Sequence, residues 1–303
     1  YYPLHILKID YFRAMNRALV NFFLDHLRIE RRLSAHTVRS YSTDLDQFLA
    51  FIEPETLPQI KAQHIRNWLI SLSDDTIQNR SINRKLATLR TFFKFLLRRG
   101  DIQENPMGPI KMVKVSKKLP QFIRESDIQG LWNQNPIESN SFTEVRDQLI
   151  LYLLYGTGIR LAELISLQKS HVNLMAGTIR VLGKRNKERI IPIPKLISNW
   201  ILQYQKLCSF EHTHLLVTDK GEKLYPMFVQ RLVKKQLGDI STLEKLSPHV
   251  LRHTYATHLL NRGADLNAIK ELLGHANLAA TQVYTHNSME KMKEIYQQAH
   301  PKA

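Results

Sequence analysis

Residues 155–164 read Tyr155-Gly156-Thr157-Gly158-Ile159-Arg160-Leu161-Ala162-Glu163-Leu164. The strongly apolar run 145–155 that leads into this stretch reads as a helix, and the Gly-rich turn after it delivers an arginine. Glu163 follows Arg160 by three residues, on the same face if the segment is helical. Downstream, the β-branched runs Thr178-Ile-Arg-Val-Leu182 and Arg189-Ile-Ile-Pro-Ile193 flank Gly183-Lys-Arg-Asn-Lys187, which predicts a hairpin with a basic turn. Helical periodicity then resumes almost to the end. Upstream, the first third is helical. Ser34 is placed to cap a helix with Val38, Tyr41, Leu45, Phe48 and Ile52 at helical spacing. A second helix is predicted after Ser81, with Ile82, Leu86, Leu89, Phe93 and Leu96 on one side and Gly100 at its end. Between the two parts, Asn105-Pro-Met-Gly-Pro109 is rich in turn formers, and 111–118 holds four lysines and no acid. That segment reads as an extended basic linker or as an ordinary surface loop. The expected architecture is mainly α with a small β-sheet: a helical N-terminal domain over 1–108, a basic linker over 109–120 and a mixed α+β domain over 121–303.

Composition narrows the function. The 303 residues carry 43 Lys and Arg against 27 Asp and Glu, a formal net charge of +16. The excess is spread along the chain: residues 1–120 hold 20 basic and 11 acidic side chains, the remainder 23 and 16. Such a field favours polyanions, and nucleic acid fits better than a lipid surface because no segment pairs a basic face with a broad apolar one. No apolar run reaches membrane-span length and the N-terminus lacks a secretory apolar stretch, so a cytoplasmic protein without a membrane partner is expected. Cys208 is the only cysteine, which excludes an intrachain disulfide and a multi-cysteine zinc site. There is no phosphate-binding Gly-x4-Gly-Lys-Ser/Thr loop, no His-Glu-x-x-His and no set of carboxylates suited to two metal ions, so neither cofactor nor metal is expected. His212-Thr-His214 is a short metal signal without further ligands.

Phosphoryl chemistry on such a chain would rest on side-chain cations. Arg160 follows the Gly-rich turn, and the hairpin presents Lys184. His249 and Arg252 stand three apart on one helix face, and Leu273-Gly-His275 precedes Tyr284 by nine residues. Singly, each has a bland counterpart: a surface arginine, a solvated lysine, a chance His-x-x-Arg, a core tyrosine with a satisfied hydroxyl. In the first third, Arg84, Thr91, Lys94 and Arg98 form a polar stripe along the second helix. A stripe of this kind is commonly a solvated face, and it also suits a phosphate backbone.

The order and spacing of these residues resemble the catalytic domain of tyrosine recombinases. The resemblance rests on Gly-Thr-Gly-Ile-Arg160-Leu-Ala-Glu163-Leu, Gly183-Lys184-x-Asn-Lys-Glu-Arg, Pro248-His249-x-Leu-Arg252-His-Thr, Leu-Leu-Gly-His275 and Val-Tyr284-Thr-His. Leu33-Ser-Ala-His-Thr-Val-Arg-Ser-Tyr41, the Asn105-Pro linker and the closing Gln297-Gln-Ala-His-Pro-Lys-Ala303 are similar to the Xer-type subgroup. The likeness covers residues 15–303 and departs at Arg185, where the family often has glycine, and at Tyr255, where phenylalanine is common.

The resemblance implies that Tyr284 attacks the scissile phosphate and becomes linked to the 3′ end. Arg160 and Arg252 would hold the non-bridging oxygens, Lys184 would protonate the leaving 5′ oxygen, His249 would accept a proton or donate to the phosphate, His275 would donate a second hydrogen bond, and Glu163 would orient its neighbours. Arg185, where the sequence departs from the family, would add a DNA contact or alter the turn. Two basic domains on a linker can then close on a duplex as a clamp, with the first, core-binding domain contributing the Arg84 stripe. The implied partners are a double-stranded recombination site, a tetramer of identical or related subunits assembled on it, and a septal DNA translocase. A Xer-type recombinase resolving chromosome dimers is the expected function. The N-terminal region is too short for an additional arm-binding domain, which sets a phage or transposon integrase second. A type IB topoisomerase and a non-catalytic architectural protein are the more distant alternatives.

Overall fold

The computed structural model describes residues 4–53, 55–74, 77–115, 121–132, 141–183, 188–238, 243 and 246–274. The chain divides into two compact units, Tyr1–Lys118 and Leu119–Ala303.

The first unit is helical. It comprises α1 (Leu4–Asp25), extended by a π-turn over His26–Glu30, then α2 (Ala35–Ile52), α3 (Ala62–Asp74) and α4 (Asn79–Arg99). Ser34 caps α2 as its sequence position predicts, its hydroxyl accepting from the Thr37 amide at 3.3 Å. Gly100 closes α4 in the left-handed conformation at φ +82°. The helix begins one turn earlier than its apolar pattern, because Asn79 and Arg80 add no apolar period to it. Phe23, Phe48, Trp68, Phe92 and Phe93 are buried together, with Phe48 edge-on to Trp68 at 5.0 Å.

Within that core lies a carboxylate. Asp44 of α2 is fully buried and accepts from Thr88 at 3.0 Å, from the buried Lys85 at 3.2 Å and from Arg84, all on α4. The ion pair fixes the register of one helix on the other. Past Gly100 the chain stays attached to this unit. Ile102, Met107 and Ile110 join its core, Arg90 donates to the Ile110 carbonyl at 2.9 Å, and Asn83 exchanges two 2.8 Å hydrogen bonds with the Val113 backbone. Residues 109–113, within the segment that composition marks as linker, therefore lie along α4.

The second unit packs helices around a small sheet. It contains α5 (Glu125–Trp132), α6 (Phe142–Thr157), α7 (Leu161–Ser166), α8 (Lys195–Leu207), α9 (Pro226–Gly238), α10 (Pro248–Asn261) and α11 (Leu266–Leu273). The sheet is antiparallel in the order β1 (Val172–Asn173), β2 (Thr178–Leu182), β3 (Glu188–Pro192). Its hairpin has Thr178 opposite Pro192 and Leu182 opposite Glu188. Helix α6 is buried from Val145 to Thr157 except at Asp147 and forms the centre of the unit, flanked by α8 and α10. The unit's first residues are tied to α10: the Ile123 amide donates to Thr254 at 3.0 Å, and His258 bridges the Ile123 carbonyl and the Tyr155 hydroxyl at 2.9 and 2.8 Å.

No helix among the described residues is long and apolar enough to cross a membrane. Replacing Asp44 with alanine leaves Lys85 buried without its counter-charge, and a cost of about 3–5 kcal/mol is expected in urea unfolding of the intact protein. A loss below about 1 kcal/mol would place the cluster with solvated ion pairs instead.

Candidate active site

The site is assembled where α6 ends. Gly158 terminates that helix at φ +60°, and a Cβ there would lie 2.6 Å from the Tyr255 ring of α10 and 2.8 Å from Leu273 of α11. Only glycine combines the torsion with the clearance, and its presence lets three helices meet at one point. The turn then places Arg160 at the N-cap of α7 in extended backbone, φ −74°, ψ 150°.

Glu163, in the first turn of α7 and 5% exposed, accepts four hydrogen bonds. Its Oε2 takes the Arg160 amide at 2.8 Å, a reach-back that satisfies an orphan donor at the helix start. Its Oε1 takes Arg160 Nη1 at 2.8 Å. Arg189 of β3, also 5% exposed, meets both oxygens fork-to-fork at 2.7 and 2.8 Å. Burial pushes the Glu163 carboxyl up, but the hydrogen bonds and charge of Arg189, with those of Arg160, outweigh it and hold the group below the usual carboxylate range. Glu163 is therefore an anion at neutral pH.

A third guanidinium completes the cluster. Arg252, on α10 and 7% exposed, donates to the carbonyls of Gly158 and Leu273. Burial, then the charges of Arg160 and Arg189, bring its pKa down to about 10, which leaves it charged at pH 7. The arginines share one further element. Arg189 Nε donates to Leu272 O at 3.0 Å, Arg252 to Leu273 O, and Arg160 Nη2 to Gly274 O at 2.6 Å. Three consecutive carbonyls at the C-terminal end of α11 thus each hold a different guanidinium, at the helix end whose dipole favours cations. With one carboxylate among three arginines, the cluster keeps two net positive charges. Arg160, with 37% of its side chain exposed, carries that charge to solvent. Planar forks of fixed charge suit a phosphate's paired oxygens.

Of the residues singled out in the sequence, Arg160, Glu163 and Arg252 are brought together here. His249 stands exposed one turn before Arg252 on α10. Lys184 and Arg185, between β2 and β3 in sequence, and His275 and Tyr284 lie outside the described residues. Their described neighbours, Leu182, Glu188 and Gly274, have the positions given above. Arg189 closes the motif quoted from Gly183 but is given no role there, and a signal for one was present. On a strand, residues two apart face one side, so Arg189 shares the inward face with the buried Ile191 and needs a carboxylate partner. His212 is engaged locally, its Nδ1 donating to the His214 carbonyl at 2.5 Å and its Nε2 standing 3.2 Å from the Cys208 thiol. Among the described residues no three His, Cys, Asp or Glu side chains gather for a metal ion.

In the first unit, Thr91, Lys94 and Arg98 line one groove together with Arg31, Arg90 and Arg99. Lys94 and Arg98 are exposed, whereas Arg99 stacks over the Phe22 ring at 4.6 Å. Arg84 is set apart from this groove by its bond to Asp44, with 49% of its side chain still exposed.

The chain resembles known proteins over most of its length. The Phage integrase family matches residues 121–291, and the phage integrase N-terminal SAM-like domain matches residues 20–100. The chain is 36% identical to a protein named tyrosine recombinase XerC from Chlorobaculum parvum, over 93% of this chain and 94% of that one. It is 38% identical to tyrosine recombinase XerC of Staphylococcus aureus, over 93% and 96%. Among solved structures, the Tn1549 transposon integrase in complex with circular intermediate DNA shares the fold, with a TM-score of 0.69 at 17% identity over 91% of this chain and 98% of that chain. The arginine cluster is thus set in a chain that belongs to the phage integrase family, as a tyrosine recombinase that cleaves and rejoins DNA strands.

Proposed function

We propose that the chain is a Xer-type site-specific recombinase in which Tyr284 is the nucleophile and the arginine cluster is the phosphate clamp. The Tyr284 oxygen attacks the scissile phosphorus, forming the phosphotyrosyl bond to the 3′ phosphate as the bond to the 5′ oxygen breaks. Lys184 supplies the proton that the 5′ oxygen takes up, and His249 accepts the proton that tyrosine, with its ordinary pKa of about 10, must lose. Arg160 and Arg252 neutralise the non-bridging oxygens and His275 adds a hydrogen bond, so fixed side-chain charge stabilises the transition state. Glu163 sets the direction of Arg160. Attack by a 5′ hydroxyl on the phosphotyrosine reverses the step with no external energy, and a hydroxyl from a second duplex completes the exchange.

One observation carries the reading: Arg160 and Arg252 converge on the last carbonyls of α11, the point from which the chain continues to His275 and Tyr284. The two XerC relatives, at 36 and 38% identity over nearly full length, favour the resolution of chromosome dimers over integration of a mobile element. In this reading four subunits, identical or of two related kinds, assemble on the recombination site, and a septal DNA translocase controls them. The duplex is gripped through its phosphates by Thr91, Lys94 and Arg98, with the free N–H groups of Arg84 and with Arg185 of the hairpin turn.

The purified protein, mixed in EDTA with a nicked duplex bearing a resolution site, is expected to give a covalent band on a denaturing gel. Tyr284→Phe is expected to bind the duplex normally and to give no band, and a band of wild-type intensity from that variant would remove Tyr284 as nucleophile. Lys94→Ala and Arg98→Ala are each expected to lower the slope of log affinity against log salt by about 0.9 for any duplex sequence. An unchanged slope in both would leave this stripe a solvated face.

A further inference from the structure

Arg189 has no role in the mechanism above, yet it is the most heavily engaged of the three guanidiniums. Its Nη atoms take both oxygens of Glu163, and its Nε takes the Leu272 carbonyl. It is 5% exposed, its backbone is in the ladder opposite Val181, and its Cδ and guanidinium lie within 3.2–3.4 Å of where a Cβ on Gly274 would stand. With these donors committed and the side chain buried, it is poorly placed to reach a DNA phosphate. A single side chain on the hairpin thus ties together the start of α7, which carries Arg160, and the end of α11, which also receives Arg252.

We infer that Arg189 is a positioning residue for strand cleavage, locking Glu163 and the α11 carbonyls in the one arrangement that aims Arg160 and Arg252 at the scissile phosphate. The argument is geometric. Glu163 has one carboxylate for two arginines. If Arg189 did not occupy the outer side of both oxygens, the carboxylate could rotate to take Arg160 fork-to-fork and draw that guanidinium away from substrate. Arg189 blocks that alternative while leaving the Arg160 guanidinium a single contact to Oε1 beside its bond to the Gly274 carbonyl, so its other N–H groups stay available for phosphate. A lysine at this position would keep the charge and lose the fork, because an ammonium cannot span both oxygens and the Leu272 carbonyl in one plane. The inference rests on the recombinase reading, and it specifies a loss in the chemical step with DNA affinity retained.

The test compares wild type with Arg189→Lys, Arg189→Met and a control, Leu215→Ala, which removes a fully buried side chain from the same unit's core. For each, melting temperature, duplex Kd and the rate of covalent-band formation at saturating nicked duplex are measured well below the melting point. Arg189→Lys is expected to bind DNA within about 3-fold of wild type and to react about 10²-fold more slowly, as a misaimed clamp would. Leu215→Ala is expected to lose melting temperature and keep its rate. If Arg189→Met fails to fold, the lysine variant alone decides. A lysine variant that reacts within about 3-fold of wild type, or a loss that resides in Kd, or one reproduced by the control at equal melting temperature, would overturn the inference and leave the recombinase reading standing. Absence of a covalent band from wild type itself would overturn both.

Discussion

The second unit depends on one constraint: a buried carboxylate stays ionised only if it is paired and fully hydrogen-bonded. Glu163 meets it with two guanidiniums and a backbone amide from three directions. Because Arg189 arrives on the sheet and Arg160 on the α6–α7 turn, satisfying that one group positions two otherwise separate pieces of chain. The same arginines then reach past the carboxylate to α11. The positive charge left over is the functional product of the arrangement. A fully neutralised cluster would be more comfortable in a partly dry site, but it would have no reason to bind a phosphate.

The first unit follows the same logic with a different outcome. Asp44 is buried on α2 and gathers Lys85, Thr88 and Arg84 from α4. Here the charge is spent on holding two helices in register, and the cations offered to solvent stand further along α4, at Lys94 and Arg98. One helix therefore carries an inward-facing basic group that is structural and outward-facing ones available to a polyanion. Its net composition does not tell the two apart.

That distinction marks the limit of what the sequence discloses. Caps and breakers were legible because their physics is local: the Ser34 hydroxyl over its own helix start, Gly100 at a left-handed end, and the hairpin strands with their β-branched runs. The pairing of Arg160 with Glu163 was legible for the same reason, being three residues apart. Arg189 joins that pair across 26 residues of chain and Arg252 bonds the Gly158 carbonyl across 94, and no periodicity encodes contacts of such separation. The two-residue strand β1 is too short to show alternation. The attachment of residues 110–113 to α4 was hidden by lysines that composition reads as linker, whereas the backbone between them supplies the contacts.

Gly100 and Gly158 both end their helices in the left-handed region, yet they differ in evolutionary freedom. Around Gly100 a Cβ meets nothing within 4 Å, so an asparagine, which tolerates the left-handed region, can stand there at a small cost. At Gly158 asparagine passes the torsional requirement and fails the steric one, since its first side-chain carbon would overlap an aromatic ring and a leucine. Relief would require the Tyr255 ring and the Leu273 side chain to give way together. Any side chain at Gly158 must displace the packing beside the arginine cluster, so drift that is open to one helix end is hindered at the other.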